Sequence, residues 1–203
     1  DKGLPGFGEA AFWDAEYRRD SVDDEFDWLV EYEDIRWLMD AVLLAEQEGA
    51  KKSVLHLGSG NSTLPEDLWN DGHRGPQVVT DISPVCMELL KTRAKTESIR
   101  RESEIVYVEA DAACPSICEG KHPIFESLNA FGEQQFDVTI EKSVFDAIVC
   151  DPPFANVALR DLRRTIDLLA TDDAQRRFCS RARYVSRSRS TVLLSGAHSI
   201  PMS

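Results

Sequence analysis

The stretch that decides the fold is SVLHLGSGNSTL at residues 53–64, which is followed by VVTDIS at residues 78–83. The first segment is an apolar run that ends in the glycine turn GSGN at residues 58–61, and the second ends in Asp81. A strand that runs into a glycine turn lets a ligand approach the backbone, and a carboxylate about twenty residues later, at the end of the next strand, can accept both hydroxyls of a ribose. The two segments together therefore predict a site for an adenosine-containing cofactor.

Apolar runs of strand length alternate with helix-length segments along most of the chain. This alternation predicts an α/β fold with a doubly wound, mostly parallel sheet, in which ligands bind at the carboxyl ends of the strands. The predicted strands cover residues 53–57, 77–80, 104–108, 136–140 and 191–196, with an irregular stretch containing Pro115, Gly120 and Pro123 between the third and the fourth. The predicted helices cover residues 10–20, 34–48, 64–71, 84–95 and 159–178.

Length and composition indicate a single globular domain over residues 1–203, in which residues 1–48 form a helical segment ahead of the sheet. Hydrophobic residues make up 42% and charged residues 29%, as is usual for soluble proteins. No apolar run approaches the length of a bilayer span, and the first ten residues lack the apolar core of a signal peptide. Five cysteines without a CxxC pair indicate free thiols and no metal site. We therefore expect a cytoplasmic protein without a membrane partner.

The net charge of −13 is concentrated near the start of the sequence. Residues 1–48 carry 15 Asp and Glu against 4 Lys and Arg, whereas residues 155–203 carry 9 Arg against 4 Asp. An acidic surface repels phosphate backbones, so a nucleic acid is a disfavoured partner and a protein with a basic or lysine-bearing surface is favoured. The alternative is that these acidic residues only solvate the N-terminal helices.

The third predicted strand leads to Asp111, and a carboxylate at this position suits a site beside the adenine. With this residue the chain resembles class I S-adenosylmethionine-dependent methyltransferases more than dinucleotide dehydrogenases. Within that class it resembles the eukaryotic elongation factor 1-alpha lysine methyltransferases, over residues 7–148. The narrower likeness rests on five motifs in order, which are WDAEY (13–17), FDW (26–28), VLHLGSGNS (54–62), TDIS (80–83) and FDVTIEKSVFDAI (136–148).

The resemblance implies that S-adenosyl-L-methionine is the cofactor and that residues 1–48 cover it. It assigns cofactor-binding roles to aromatic residues of that segment and to residues at the ends of four strands. They are Trp13, Tyr17 and Trp28 over the methionine end, Gly58, Ser59, Gly60 and Asn61 in the turn, Asp81 and Ile82 at the ribose, Asp111 and Ala112 at the adenine, and Lys142 nearby.

Three features depart from these families. His56 stands where most class I enzymes carry an acidic residue, although the narrower family also lacks that acid. Ser143 replaces a glycine that is usual in the narrower family. A complete class I sheet has seven strands, and the sequence pattern predicts only five.

Two motifs compete for the fourth strand. FDVTIEK at residues 136–142 matches the lysine methyltransferases, whereas FDAIVCDPPF at residues 145–154 resembles the motif of enzymes that methylate the amino group of adenine. Only one can fill the position, because the few residues between them are too short for a crossover between parallel strands. We favour FDVTIEK, which predicts that KSVFDAI is a helix and that the DPPF segment lies in the loop after it.

The favoured function is therefore methyl transfer to a lysine of a protein such as a translation elongation factor. The expected reaction is an in-line displacement by a neutral amine, and Glu141 is the residue expected to orient that amine. One alternative is an adenine amino-methyltransferase that uses Asp151, Pro152, Pro153 and Phe154. Another is a catalytically silent scaffold that binds the cofactor.

Overall fold

The computed structural model describes residues 6–19, 30–43, 51–96, 105–113, 122–131, 135–150, 155–169 and 190–194. The helices are α1 (Ala10–Tyr17), α2 (Tyr32–Leu43), α3 (Leu64–Asn70), α4 (Pro84–Thr96), α5 (Pro123–Ala130), α6 (Val144–Val149) and α7 (Ala155–Leu169). The strands are β1 (Val54–Leu57), β2 (Gln77–Asp81), β3 (Ile105–Glu109), β4 (Val138–Lys142) and β5 (Ser190–Leu194). None of the helices in these ranges is long and apolar enough to cross a membrane.

The five strands form one parallel sheet in the order β3-β2-β1-β4-β5. The chain moves outward from β1 to β3 and then returns to the other side of β1, so the direction of winding reverses between β1 and β4. This order is that of a Rossmann-like, doubly wound sheet, and the reversal is the place where such sheets bind ligands. The predicted fold class is confirmed.

Helices cover both faces of the sheet because side chains alternate along each strand. Leu55 and Leu57 of β1 belong to a core cluster with residues of α5 and α7. Val54, on the opposite face, belongs to a cluster with residues of α2 and α3. Val79 of β2 packs in a third cluster with residues of α1 and α4. The strands β1, β2 and β4 are buried along their whole length, as the apolar runs predicted.

Residues 138–149 settle the competition for the fourth strand. Residues 138–142 of FDVTIEK form β4, and residues 144–149 form α6, so FDAIVC is not a strand. Ser143 joins them with a φ of +74°, a left-handed conformation that glycine adopts more easily. Glycine at residue 143 would adopt this conformation at a lower cost than serine does. The DPPF segment at residues 151–154 lies outside the described residues.

Several predicted boundaries were wrong. α1 ends at Tyr17 rather than at residue 20, and α2 begins at Tyr32 rather than at residue 34. α5 occupies residues that the sequence pattern placed in an irregular stretch, because Pro123 begins a helix rather than interrupting one. β4 begins at Val138, two residues later than predicted. Just before it, the Asp137 carboxylate accepts hydrogen bonds from the backbone N–H of Ser53 at 2.9 Å and from the Ser53 hydroxyl at 3.1 Å, in place of strand pairing. α7 begins at Ala155, four residues earlier than predicted, and its predicted end at Phe178 lies outside the described residues.

Candidate functional site

The glycine turn lies at the carboxyl end of β1, where both glycines adopt a φ of +58°. A Cβ atom on Gly58 would lie 1.9 Å from Cγ2 of Val144, so α6 packs directly on this position. A Cβ atom on Gly60 would lie 3.0 Å from the Tyr17 hydroxyl. The turn therefore requires glycine for two reasons, its left-handed backbone and the close approach of α6 and α1.

Asp81, at the carboxyl end of β2, is bonded to the glycine turn. Its carboxylate accepts hydrogen bonds from Gly60 N–H at 3.0 Å and from Ser83 N–H at 2.9 Å, and only 6% of the residue is exposed. Burial raises the pKa of Asp81 to about 6, against the opposing effect of bonds from the backbone of Ser83, Gly60 and Ile82. A carboxylate has about four lone-pair sites, so Asp81 can accept further donors beside these.

The helix α1 packs over this strand end through Asp14. The Asp14 carboxylate accepts a hydrogen bond from the Ser83 hydroxyl at 2.6 Å, one residue before the start of α4. Tyr17 is buried and its ring stacks on Trp13, with the ring centroids 6.0 Å apart. Sequence reasoning missed Asp14, whose position inside the WDAEY motif was the available signal.

The aromatic residues of α1 contact protein atoms in this structure. The Trp13 indole donates a hydrogen bond to the Phe7 carbonyl at 2.7 Å. Trp13 and Tyr17 both pack in the cluster that contains Val79 and Met87. The helix is therefore part of the core on this face, and the predicted contacts with the methionine end of a cofactor stay a prediction. Trp28 lies outside the described residues.

A buried arginine of α4 holds the end of the glycine turn by hydrogen bonds to backbone carbonyls. Arg93 of α4 donates hydrogen bonds to the carbonyl oxygens of Asn61 at 2.8 Å and Ser62 at 2.7 Å. Its guanidinium also lies 3.5 Å from the carboxylate of Glu66, which accepts a hydrogen bond from the Tyr107 hydroxyl at 2.8 Å. The turn is also bonded to β2, because Ser59 N–H donates a hydrogen bond to the Thr80 carbonyl at 2.8 Å. Sequence reasoning missed Arg93, because its spacing along α4 does not show that it faces the turn.

Glu141 lies beside the glycine turn, since it pairs with Leu57 across β1 and β4. It is 0% exposed. One carboxylate oxygen accepts a hydrogen bond from Phe145 N–H at 2.8 Å at the start of α6, and the other has no hydrogen-bond partner among the described residues. Burial, with a smaller contribution from Asp146, raises the pKa of Glu141 to about 7. The residue thus caps α6 with one oxygen and has acceptor capacity left on the other.

Lys142 follows Glu141 and points to the opposite face of the sheet. Its ammonium group donates a hydrogen bond to the Ser62 hydroxyl at 3.2 Å. Burial lowers the pKa of Lys142 to about 8. Lys142 therefore connects the end of β4 to the segment that follows the glycine turn, and its cofactor contact stays a prediction.

The predicted adenine side lies after the end of β3. Asp111 is exposed, and its carboxylate accepts a hydrogen bond from Ala113 N–H at 2.8 Å. Ala112 is buried, and its carbonyl accepts a hydrogen bond from the Thr165 hydroxyl of α7 at 2.7 Å. A ring nitrogen of His122 lies 3.2 Å from the Asp111 carbonyl. Asp111 and Ala112 thus form an ordered turn whose exposed carboxylate faces away from the core.

His56 has a structural role in the middle of β1. Its Nε2 lies 2.8 Å from the Gln77 side-chain oxygen, and the Gln77 amide donates to the Pro65 carbonyl at 3.1 Å. Burial lowers the pKa of His56 to about 4, so the ring is neutral and donates to Gln77. His56 is therefore a neutral core histidine whose Nε2 is hydrogen-bonded.

The described residues place the predicted groups at one edge of the sheet. The turn, Asp81, Glu141 and Lys142 adjoin one another through the contacts above, and Tyr17 faces Gly60. These contacts are all between protein atoms, so the cofactor-binding and catalytic roles stay predictions.

No protein-family model matches the sequence, and no curated protein matches it. Among solved structures, the chain is similar to magnesium protoporphyrin IX methyltransferase from Synechocystis PCC 6803 with bound S-adenosylmethionine, at 16% identity and a TM-score of 0.47, over 81% of this chain and 74% of that one. It is also similar to a structure from work on the conversion of a disulfide bond into a thioacetal group during echinomycin biosynthesis, at 18% identity and a TM-score of 0.46, over 76% and 57%.

A third similar structure is a methyltransferase from Thiobacillus denitrificans in complex with S-adenosyl-L-homocysteine, at 18% identity and a TM-score of 0.39, over 59% of this chain and 39% of that one. The chain thus spans under two thirds of the echinomycin and Thiobacillus structures. Because all three TM-scores are low, the function has to be inferred from this chain's own residues.

Proposed function

We propose that the protein is an S-adenosylmethionine-dependent N-methyltransferase whose acceptor is a lysine side chain of a protein. The observation that carries the proposal is the placement of two buried carboxylates, Asp81 and Glu141, on either side of a left-handed glycine turn at the reversal point of the sheet. Asp81 suits the ribose of the methyl donor and Glu141 suits the amine of the methyl acceptor, so the site has a donor side and an acceptor side for the methyl group.

On the donor side, Asp81 is the group that would hold the cofactor. Its carboxylate already has a fixed orientation through bonds from Gly60 and Ser83, and it can accept the two ribose hydroxyls without further ordering. The resemblance adds Ile82 at the ribose, and Asp111 and Ala112 at the adenine. When bound, the cofactor supplies an electrophilic methyl group on a positively charged sulfur.

On the acceptor side, Glu141 would bind the target amine. A lysine ammonium has a pKa of ~10.4 and must lose a proton before the nitrogen has a lone pair that can attack. The unpartnered oxygen of Glu141 can accept a hydrogen bond from that amine and hold its lone pair toward the methyl group. In the transfer the new carbon–nitrogen bond forms as the carbon–sulfur bond breaks, and the proton lost from nitrogen goes to Glu141 or to solvent.

Charge favours a protein as the acceptor. Residues 1–48 carry 15 acidic and 4 basic side chains, which would attract a basic surface and repel a nucleic acid. The resemblance suggests a translation elongation factor as one such protein. The adenine alternative is weakened because the segment before DPPF is helix α6, whereas that motif normally follows a strand.

Cofactor binding is tested by titrating the full chain with S-adenosyl-L-homocysteine in a calorimeter. We expect binding by the wild type and at least ~100-fold weaker binding by Asp81→Ala, since a buried carboxylate with two hydroxyl partners contributes on the order of 3 kcal/mol. Glu88→Ala, on the exposed side of α4, is the control and should bind like the wild type. Equal affinity in wild type and Asp81→Ala would show that the site is wrongly assigned.

The acceptor is tested by incubating the protein with cell lysate and methyl-labelled cofactor, followed by mass spectrometry of the labelled product. Methyl-lysine in a protein supports the proposal, and loss of that label in Glu141→Gln assigns the acceptor side. Label in N6-methyladenine that disappears with Asp151→Ala would favour the nucleic-acid alternative. Cofactor binding without any labelled product would indicate a silent scaffold.

A further inference from the structure

A second cluster of ionisable side chains lies at the opposite end of the strands from the glycine turn. It consists of Asp40 on α2 together with Asp71 and His73, which follow α3 and precede β2. One ligand atom from each of the three residues lies within 4.8 Å of the other two. None of these residues takes part in the proposed methyl transfer.

His73 is the informative member of this cluster. Only 8% of the residue is exposed, and its Nε2 atom is buried without a hydrogen-bond partner among the described residues. That atom points to the Asp40 carboxylate, at 3.6 Å. A buried ring nitrogen that lacks a bond is costly, and such groups in native proteins usually have an unseen partner such as a water or an ion.

The surrounding residues orient the cluster in the way that outer-shell groups orient metal ligands. The Tyr32 hydroxyl donates to one oxygen of Asp71 at 2.6 Å, and the Arg36 guanidinium donates to the other. Asp40 is half exposed, so one side of the cluster is open to solvent.

We propose that Asp40, Asp71 and His73 form a binding site for one divalent transition-metal cation, with Zn²⁺ as the best chemical match. One imidazole nitrogen and two carboxylate oxygens are a ligand set that Zn²⁺ accepts with a water as fourth ligand, whereas Mg²⁺ and Ca²⁺ prefer oxygen alone. Ligands at about 2.0–2.1 Å from Zn²⁺ lie roughly 3.3 Å apart in a tetrahedron, so the cluster needs only small side-chain shifts.

The cation would connect α2 to the turn between α3 and β2. Its role there is structural, because the glycine turn lies at the other end of the strands. Binding would stabilise the folded chain by an amount that rises with the logarithm of the cation concentration above the Kd, since the unfolded chain does not bring these three residues together. The inference is independent of the proposed function.

The test uses the full chain after treatment with a chelator and dialysis, titrated with Zn²⁺ and separately with Mg²⁺ in a calorimeter. We expect one Zn²⁺ per chain and little heat from Mg²⁺. Asp40→Asn and His73→Gln should each weaken Zn²⁺ binding by roughly 10-fold or more, at least the loss that changes to outer-shell groups cause. Asp34→Asn is the control and should bind like the wild type, because Asp34 is an exposed carboxylate on the same helix that accepts a hydrogen bond from Glu31 N–H, away from the cluster.

Asp40→Asn keeps the test valid if His73→Gln fails to fold, because a half-exposed side chain contributes little to the core. Co²⁺ provides a second readout, since cysteine ligation gives a strong near-ultraviolet charge-transfer band and nitrogen and oxygen ligation does not. The proposal is overturned by an absence of Zn²⁺ binding, by unchanged affinity in Asp40→Asn, or by a thiolate band that reveals binding to cysteines.

Discussion

Replacing Glu141 with glutamine should make the folded protein more stable at pH 8 and less active. The carboxyl of an ordinary exposed glutamate has a pKa of 4.5, whereas burial raises that of Glu141 to about 7 in the folded chain. Between those values the unfolded chain loses a proton that the folded chain keeps, so stability falls as the pH rises. This rise of the pKa corresponds to about 3 kcal/mol of stability lost by pH 8, and the residue is fully buried, so solvent screening does not reduce it.

Glutamine keeps the shape and the acceptor that bonds Phe145 N–H, but it cannot ionise. Its amide NH₂ stands where Glu141 has an unpartnered oxygen, and burying those donors without acceptors costs ~1–3 kcal/mol at every pH. Only the pH-dependent part of the stability difference between wild type and Glu141→Gln therefore reports the ionisation of Glu141. We expect the difference between variant and wild type to grow in favour of the variant by about 3 kcal/mol from pH 4 to pH 8.

The measurement is urea unfolding of both proteins at several pH values, with midpoints converted to free energies by linear extrapolation. Asp81, whose pKa burial also raises, contributes in the same direction to both proteins and cancels in the comparison. Glu126→Gln, an exposed carboxylate on α5, is the matched control and should follow the wild type. A difference that stays flat from pH 4 to pH 8 would refute the argument that folding buries an ionisable Glu141.

Three further substitutions test the contacts around the turn. Gly58→Ala should destabilise the fold by roughly 2–4 kcal/mol, since its Cβ would lie 1.9 Å from Val144 in a left-handed backbone, and Val144→Ala should restore part of the loss in urea unfolding. Arg93→Ala should cost about 3–5 kcal/mol in the same assay, because it removes a buried cation that binds the carbonyls of Asn61 and Ser62 and leaves the buried Glu66 without its ion-pair partner, and a change under ~1 kcal/mol would contradict that role. Asp14→Ala should lower stability by about 1–2 kcal/mol, because it removes the acceptor of the Ser83 hydroxyl. Weaker binding of S-adenosyl-L-homocysteine by this variant would show that α1 also supports the site, whereas unchanged affinity would show that Asp14 contributes only to packing.

The strands near the glycine turn were predictable because their signals are local. An apolar run that ends at Gly58 or at Asp81 needs only a few neighbouring residues to be recognised, and β1 and β2 begin and end within one residue of the prediction. The short spacing between FDVTIEK and FDAIVC also showed that both could not be strands, since a crossover between parallel strands needs more residues than lie between them. The family resemblance then favoured FDVTIEK, and β4 and α6 confirm that choice.

Contacts between distant segments were not predictable in this way. Nothing in the local pattern of α4 shows that Arg93 binds the carbonyls of Asn61 and Ser62, or that Asp14 of α1 reaches Ser83. The pKa of Glu141 depends on its burial under α6, which a reading of residues 136–142 does not contain. The cluster of Asp40, Asp71 and His73 was missed for the same reason, because its members lie on separate elements and no spacing rule connects them.

The sequence by itself determined the class of fold, the order of strands and helices around the glycine turn, and the edge of the sheet where a ligand is expected to bind, since these follow from hydrophobic periodicity and from the few residues that turns accept. Only the tertiary structure decided which polar groups are buried, which are bonded and which keep acceptor capacity. Burial and bonding depend on residues far apart in the chain, and those two quantities set the charge state and the reactivity of a side chain.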